Sequence, residues 1–369
     1  MKIIRSATIN DKDAFRHLWN LSFSDTINFR NWFFENRFIA EYSICIEEDN
    51  KIVSAVQSSP CFIKIRDSIV PATIMVGACT HPDYKKRGYM KDLYTWYMNY
   101  IKTLGIVVCA HTPAVLKTYF NVGHFPVSNT AFIEVEKSNY QKKEILIHLD
   151  LQKESSTLLK CYNIMAQKYS GIVLRTISDM RLKCNDYMAD GAKCVAYKEN
   201  GVLKSYGIYY ETCNSVYAEE IVSIDNLSQQ KIVSTLLSLG IDKKVKIKLP
   251  PDTKCVTDEG TLTVSPRNVL GLTSVSSILR AVGKDIDFAV EIEDDTVYDN
   301  NGIFNLRGEK TSLSPAFKAD AGHFLQWIIG YKSIEELSEE GYAEIFNKED
   351  AEKLDLIFPK QTCHIIDEY

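Results

Sequence analysis

Absences narrow the possibilities for this chain of 369 residues before any motif does. No apolar run approaches the roughly 18 residues of a membrane-spanning helix, so no membrane partner is expected. No low-complexity tract interrupts a composition of 45% hydrophobic and 25% charged residues, which is that of a globular protein. Positive charge is not in excess, and the formal net charge of −5 argues against a nucleic-acid-binding face. The ten cysteines include no C-x-x-C pair, so no metal site is expected and the thiols should be reduced in a cytosol. The opening MKIIRSATINDKDAF carries Asp11 and no small-residue cleavage site, and does not read as a secretory signal. A cytoplasmic protein is expected, too long for one ordinary core.

What is present falls into three units, residues 1–136, 137–269 and 270–369. In the first, Thr8 and Asp11 can cap a helix with the apolar stripe Ala14, Phe15, Leu18 and Trp19. Residues 40–65 alternate as two strands around Asp49-Asn50-Lys51. Residues 72–81 read as a central strand, apolar on both faces. A helix follows Gly88 and ends near Gly105; a buried strand spans 106–111, and Pro113 opens a short helix toward Tyr119. The second unit repeats this order: a hairpin at Asn200-Gly201, then strand, helix and strand. Its loop before the helix, DNLSQ, has neither glycine nor cation. The third unit reads as a hairpin with Asn301-Gly302 as its turn, then helical stretches around 324–330 and 333–341. The fold class is therefore α/β (α+β).

One loop of the first unit carries a charge pattern that needs a reason. Lys85, Lys86 and Arg87 precede Gly88 just where Met90, Leu93, Tyr94, Tyr97, Met98 and Ile101 begin a helical period. A helix N-terminus already carries about half a positive charge, so cations there repel it unless an anion offsets them. A strand, a glycine loop and a helix N-terminus together make such an anion site. The rival reading is a solvated basic turn. Neither the nucleotide-triphosphate loop pattern nor the dinucleotide glycine fingerprint fits these residues.

The run Lys85-Lys86-Arg87-Gly88-Tyr89-Met90 resembles the pyrophosphate loop of GNAT N-acetyltransferases, [QR]-x-x-G-x-[GA]. Lys85 stands where Arg or Gln is usual, and Met90 where a small residue is usual. The longer stretch HPDYKKRGYMKDL, 81–93, is similar to HPDYRGRGYMKKL of the enhanced-intracellular-survival branch. That resemblance covers the whole chain. It implies a catalytic GNAT domain, a second degenerate one, and a sterol-carrier-like α+β domain whose last residues enter the active site. It also implies acetyl-CoA as cofactor, a primary amine as acceptor (an aminoglycoside, a polyamine or a lysine side chain), and a homo-oligomer, the branch forming hexamers.

The resemblance then assigns residues. Lys85, Lys86, Arg87, Gly88, Tyr89 and Met90 would cradle the pyrophosphate, and backbone N–H groups at Ala78, Cys79 and Thr80 would polarise the thioester. Tyr119, four residues before Gly123, matches the family's Tyr-x-x-x-Gly-[FY] pattern and would be the general acid. The carboxylate of Tyr369 would act as base or would orient Tyr119. Asp25, Trp32 and Glu368 would make the acceptor pocket acidic and aromatic, although Asp25 reads equally as a helix cap. Cys79 as a covalent nucleophile is disfavoured, since no histidine spacing marks a pair. His81, His111 and His124 lie near the expected site without a motif that makes them catalytic. The alternative function is a non-catalytic lipid or small-molecule carrier or scaffold with a silent acetyltransferase half. A longer acyl donor also stays open.

Overall fold

The computed structural model describes residues 2–140, 147–254 and 260–368. Its first sheet starts from β1 (Lys2–Ser6), β2 (Ile44–Glu48) and β3 (Lys51–Ile65), paired antiparallel in that order. Asp49 and Asn50 both take left-handed backbone, φ 50° and 61°, as a tight turn between right-twisted strands requires. β3 pairs antiparallel with β4 (Ser68–Thr80), and β4 runs parallel to β5 (Val108–His111). A parallel pair needs a crossover, which is α3 (Tyr89–Thr103).

Two further helices close the other face. Asp11 accepts from the Thr8 N–H at 2.7 Å and starts a short 3-10 turn that leads into α1 (Lys12–Ser22). The stripe of α1 buries Phe15, Leu18 and Trp19, and α2 (Ile27–Asn36) buries Phe33 and Phe34 beside them. On the opposite face α3 buries Leu93, Tyr94, Tyr97, Met98 and Ile101, the helical period read in the sequence.

Sheet membership crosses the expected boundaries. The strand Asn129–Val135 pairs with Lys244–Leu249 in a second, seven-stranded sheet. The strand Val269–Leu272 returns to the first sheet, antiparallel between β5 and Phe125–Pro126. The two sheets therefore exchange strands. In the second sheet the hairpin at Asn200-Gly201 has both residues at positive φ, 51° and 78°, and helix Asn226–Leu239 is capped by Asp225.

The third unit forms a four-stranded sheet with Ala289–Glu293 and Gly302–Asn305 as antiparallel neighbours. Asn301-Gly302 is not its turn, contrary to the sequence reading. Asn301 exchanges side-chain hydrogen bonds with the backbone of Asp294 at 2.8 and 2.9 Å, which clamps a wider loop, and Gly302 already belongs to the second strand. Helix Ala321–Ile329 and its neighbours fill the interior with Phe317, Phe324, Trp327 and Phe304, none more than 1% exposed. Among the described residues no helix is long and apolar enough to cross a membrane, and no group of three acidic, histidine or cysteine side chains could hold a metal ion.

The last residues thread inward. Ser170 N–H donates to Thr362, His364 N–H donates back to Ser170, and Cys363, His364, Ile365 and Ile366 are buried. Tyr369 lies outside the described residues.

Candidate active site

The site begins as a split in the first sheet. The parallel pairing of β4 with β5 stops at Ile74 opposite Ala110, while β4 continues to Thr80. Among the described residues no strand covers the edge of 75–80 that faces away from β3. The register between β3 and β4 also slips there, from Ala55 opposite Cys79 to Gln57 opposite Val76. That is a bulge, which turns the local N–H groups out of the ladder. Gly77 makes it possible: its φ is 64°, and a Cβ on it would lie 2.4 Å from the Trp19 ring. Ala78, Cys79 and Thr80, the expected polarising segment, follow directly.

At the C-terminal end of β4 the basic loop closes the split. Gly88 is the N-cap of α3 with φ 81°, and Lys86 also takes left-handed backbone, φ 64°, so the basic loop turns tightly into a helix N-terminus, where free N–H groups favour an anion. A Cβ on Gly88 would point into open space, leaving room for a ligand. A cavity of about 430 Å³ is lined by Ala78, Cys79, Thr80, Lys85, Lys86, Gly88, Tyr89 and Met90. Arg87 is not on this wall. Its guanidinium donates to the Asp83 carbonyl at 3.0 Å and lies over the Tyr84 ring, because the turn Pro82–Tyr84 offers both partners just before the loop. Lys91, Ser22 and Phe23 line the cavity and were not foreseen. Lys91 could have been, since it sits in the first turn of α3.

The Cys79 thiol is buried, and burial pushes its pKa up to about 12, so it stays protonated and is no nucleophile. His81 caps the 3-10 turn, its Nδ1 accepting from the Asp83 N–H at 3.3 Å.

Tyr119 lies in a 3-10 helix, Leu116–Val122, ended by Gly123 at φ 77°. Its ring meets Tyr94 at 5.0 Å and stands edge-on to His111 at 4.3 Å. Burial raises its pKa, so the phenol keeps its proton. Behind it His111 and His124 share a hydrogen bond of 2.9 Å. Burial drives both below the usual histidine range, His124 to about 3, so both are neutral. Gly271 leaves them room: a Cβ there would lie 2.0 Å from His124 Nε2.

A second cavity, of about 510 Å³, opens between the first and second sheets. Asp25, Phe29, Asp186, Asp190, Tyr210, Glu219 and Glu368 are on its wall. Asp25 is not the cap of α2. Thr26 is, its hydroxyl accepting from the Phe29 N–H at 3.1 Å, and Asp25 instead accepts from Trp19 Nε1 at 2.7 Å. Trp32 does not line this cavity, and Arg37 covers its ring at 5.6 Å. Glu368 is on the wall but is neutralised by Lys248 at 2.6 Å and Arg267 at 2.7 Å. Burial opposes its charge, yet these two cations hold its carboxyl well below the usual range. Asp186 and Asp190 were missed, although a pair of carboxylates four apart on one helix face was there to be read.

Comparison with known proteins agrees with this geometry. Residues 3–126 match the acetyltransferase (GNAT) domain family, and residues 275–366 match the sterol carrier protein domain. No curated protein matches the chain in sequence. Solved structures that superpose over 100% of both chains include three that illustrate the likeness. They are a probable N-acyltransferase from Enterococcus faecalis V583 (TM-score 0.83, 15% identity), a GCN5-related N-acetyltransferase from Anabaena variabilis (0.81, 16%) and Eis1 from Mycobacterium abscessus (0.75, 15%). The chain therefore carries a GNAT acetyltransferase domain at its start and a sterol carrier protein domain in its last quarter.

Proposed function

We propose that the protein is an acetyl-CoA-dependent N-acetyltransferase acting on a primary amine. The observation that carries this is the split between β4 and β5, closed at one end by the basic loop with Lys86 and Gly88 at the N-terminus of α3. When bound, acetyl-CoA supplies the acetyl group as a thioester. Lys85, Lys86 and Lys91 would hold its pyrophosphate, together with the N–H groups at the start of α3. The bulged segment Ala78–Thr80 would donate to the carbonyl oxygen as the amine attacks directly. Tyr119, kept protonated by burial, would give its proton to the departing thiolate. The carboxylate of Tyr369 would take the ammonium proton or orient Tyr119; its neighbour Glu368 lies on the wall of the acidic cavity. A carrier role finds less support, because Trp327, Phe324 and Phe317 occupy the interior a lipid would need.

The test is calorimetric titration of acetyl-CoA, paired with amine-dependent release of free thiol. Tight binding is expected for the native chain. A loss of about tenfold or more is expected when Lys85 and Lys86 are both changed to Ala, since each removes a charge-assisted contact. Equal binding by both proteins would reduce the loop to a basic turn.

A further inference from the structure

We propose that Lys248, Arg267 and Asn268 are positioning residues: they take up the Glu368 carboxylate and so pin the last residues of the chain against the end of β5. Glu368 then does not recognise the acceptor, contrary to the expectation from the sequence. This rests on reading the carboxylate of Tyr369 as the base or orienting group of the reaction. Contact by contact, the Glu368 carboxylate has little left to offer a substrate. Its Oε1 accepts from Lys248 Nζ at 2.6 Å, from Arg267 Nε at 2.9 Å and from Asn268 Nδ2 at 3.3 Å; its Oε2 accepts from Arg267 at 2.7 Å. An ionised carboxylate has about four lone-pair sites, so an incoming ammonium would have to displace one of these donors. That would trade one cation for another and leave the displaced one unpaired beside a carboxylate only 10% exposed.

Each donor sits where the fold fixes it. Lys248 belongs to the buried strand Lys244–Leu249 and also reaches Glu219 at 2.9 Å. Arg267 and Asn268 directly precede the strand Val269–Leu272, whose first residue pairs with His111 at the end of β5. Asn268 is buried, its amide nitrogen donating to the Thr112 hydroxyl at 2.7 Å and its oxygen accepting from the Ser128 hydroxyl at 3.0 Å. Thr112 follows β5 directly and lies on the wall of the cavity between the sheets. Glu368 is thereby tied to the second sheet and to the strand that borders the split. Its main chain is held as well, since Lys183 donates to its carbonyl at 3.3 Å. The terminal carboxylate belongs to the next residue, one Cα step of about 3.8 Å further on. An unpinned terminus frays, whereas a group that moves a proton has to be held to a fraction of an ångström. Buried ion pairs add little to stability over apolar side chains of the same volume, so what these charges supply is geometry.

The variants are Arg267→Met, Arg267→Lys, Glu368→Gln and the double change Arg267→Met with Glu368→Gln, each in the full chain. The acceptor probe is n-butylamine, and circular dichroism reports whether each variant has folded. Pinning and recognition predict opposite results. If Glu368 recognised the amine, Arg267→Met would free its carboxylate and lower KM, and Glu368→Gln would raise KM at native kcat. Pinning instead predicts that both changes lower kcat about tenfold to a hundredfold, with KM for n-butylamine and affinity for acetyl-CoA within about threefold of native. Arg267→Lys should recover most of kcat, and the double variant should be no slower than the slower single one, as a shared contact requires. Hydrogen exchange over residues 360–368, read by mass spectrometry, should quicken in Arg267→Met and return toward native in Arg267→Lys. Native kcat in folded Arg267→Met, or a raised KM with intact kcat in Glu368→Gln, overturns the proposal. Deleting Tyr369 tests the underlying reading by itself. Native kcat in that deletion, with exchange still quickened by Arg267→Met, would strike the terminal carboxylate from the mechanism and leave the pin standing. No transfer to n-butylamine by the native chain would count against the acetyltransferase reading, and the exchange measurement would then decide the pin alone.

Discussion

At the level of single residues, the basic loop was legible and the acidic cavity largely was not. Lys85, Lys86 and Gly88 announce themselves because strand, loop and helix N-terminus are contiguous in sequence, and the cavity wall they share is local. Arg87 belongs to the same run, yet it does not line the cavity, because its long side chain found Asp83 and Tyr84 nearby. Which way a side chain in a turn points is decided by such partners and not by its place in a motif. Trp32 and Glu368 mislead for the same reason: Arg37 covers the one, and Lys248 and Arg267 neutralise the other. Tyr119 was singled out by motif alone, and its surroundings sharpen what can be tested. Its phenol faces two neutral histidines and Tyr94, so no charge competes for its proton. Tyr119→Phe should lower kcat by roughly 10²- to 10⁴-fold, the range for a general acid, with the KM for acetyl-CoA little changed. Single-turnover measurement of acetyl transfer checks this, and a rate within a few fold of native would leave Tyr119 a packing residue.

At the level of elements, strands and turns with local signals came out as read, and pairings set by distant segments did not. Asn200-Gly201 makes its turn because both residues tolerate positive φ and the flanking strands are adjacent in sequence. Asn301-Gly302 carries the same letters but is outbid by the Asp294–Asn301 clasp. The exchange of 129–135 and 269–272 between sheets has no periodic signature at all, since alternation fixes which face of a strand is buried and not which partner it joins. The bulge in β4 was likewise invisible as a bulge, although a glycine inside an otherwise apolar strand is its usual mark. That glycine can be tested. Gly77→Ala would force left-handed backbone on a residue with a Cβ and drive that Cβ into Trp19. A loss of about 2–4 kcal/mol is expected, combining backbone strain with overpacking. Because Trp19 also holds Asp25, the variant should weaken acceptor binding as well as stability. Denaturant midpoints and amine titrations measure the two effects separately, and a variant as stable as native would show that the bulge relaxes without it.

At the level of the whole molecule, the three units are tied together at one buried ionic cluster that nothing in the sequence announced. Arg175 directly follows the short strand Ile172–Leu174, which pairs with β3 of the first sheet. Its guanidinium donates to both carboxylate oxygens of Glu220 in the second sheet, at 2.9 and 2.7 Å, and to Asp367 in the final segment at 3.0 Å. The hydroxyls of Tyr187 and Tyr206 complete Glu220 at 3.1 and 2.7 Å, and the Tyr162 ring lies under Arg175 at 4.0 Å. Burial alone would keep Glu220 neutral, but Arg175 outweighs it and lowers its pKa from 4.5 to about 2. A carboxyl whose folded pKa is depressed stabilises the fold above its ordinary pKa and loses that contribution as pH falls toward the folded value. The native chain should therefore lose stability progressively between about pH 4.5 and pH 2 through this group. Arg175→Met would leave two buried carboxylates with only Lys183 nearby to offset them, at a cost of about 3–5 kcal/mol at neutral pH. The same change should flatten or invert the acid limb, because protonating Glu220 would then relieve the fold instead of weakening it. Adding Glu220→Gln to Arg175→Met should recover part of the loss, which a purely steric effect of the methionine would not. Denaturant unfolding at a series of pH values measures all three proteins, and an acid limb in Arg175→Met identical to the native one would remove this cluster from the account of how the final segment is held at the site.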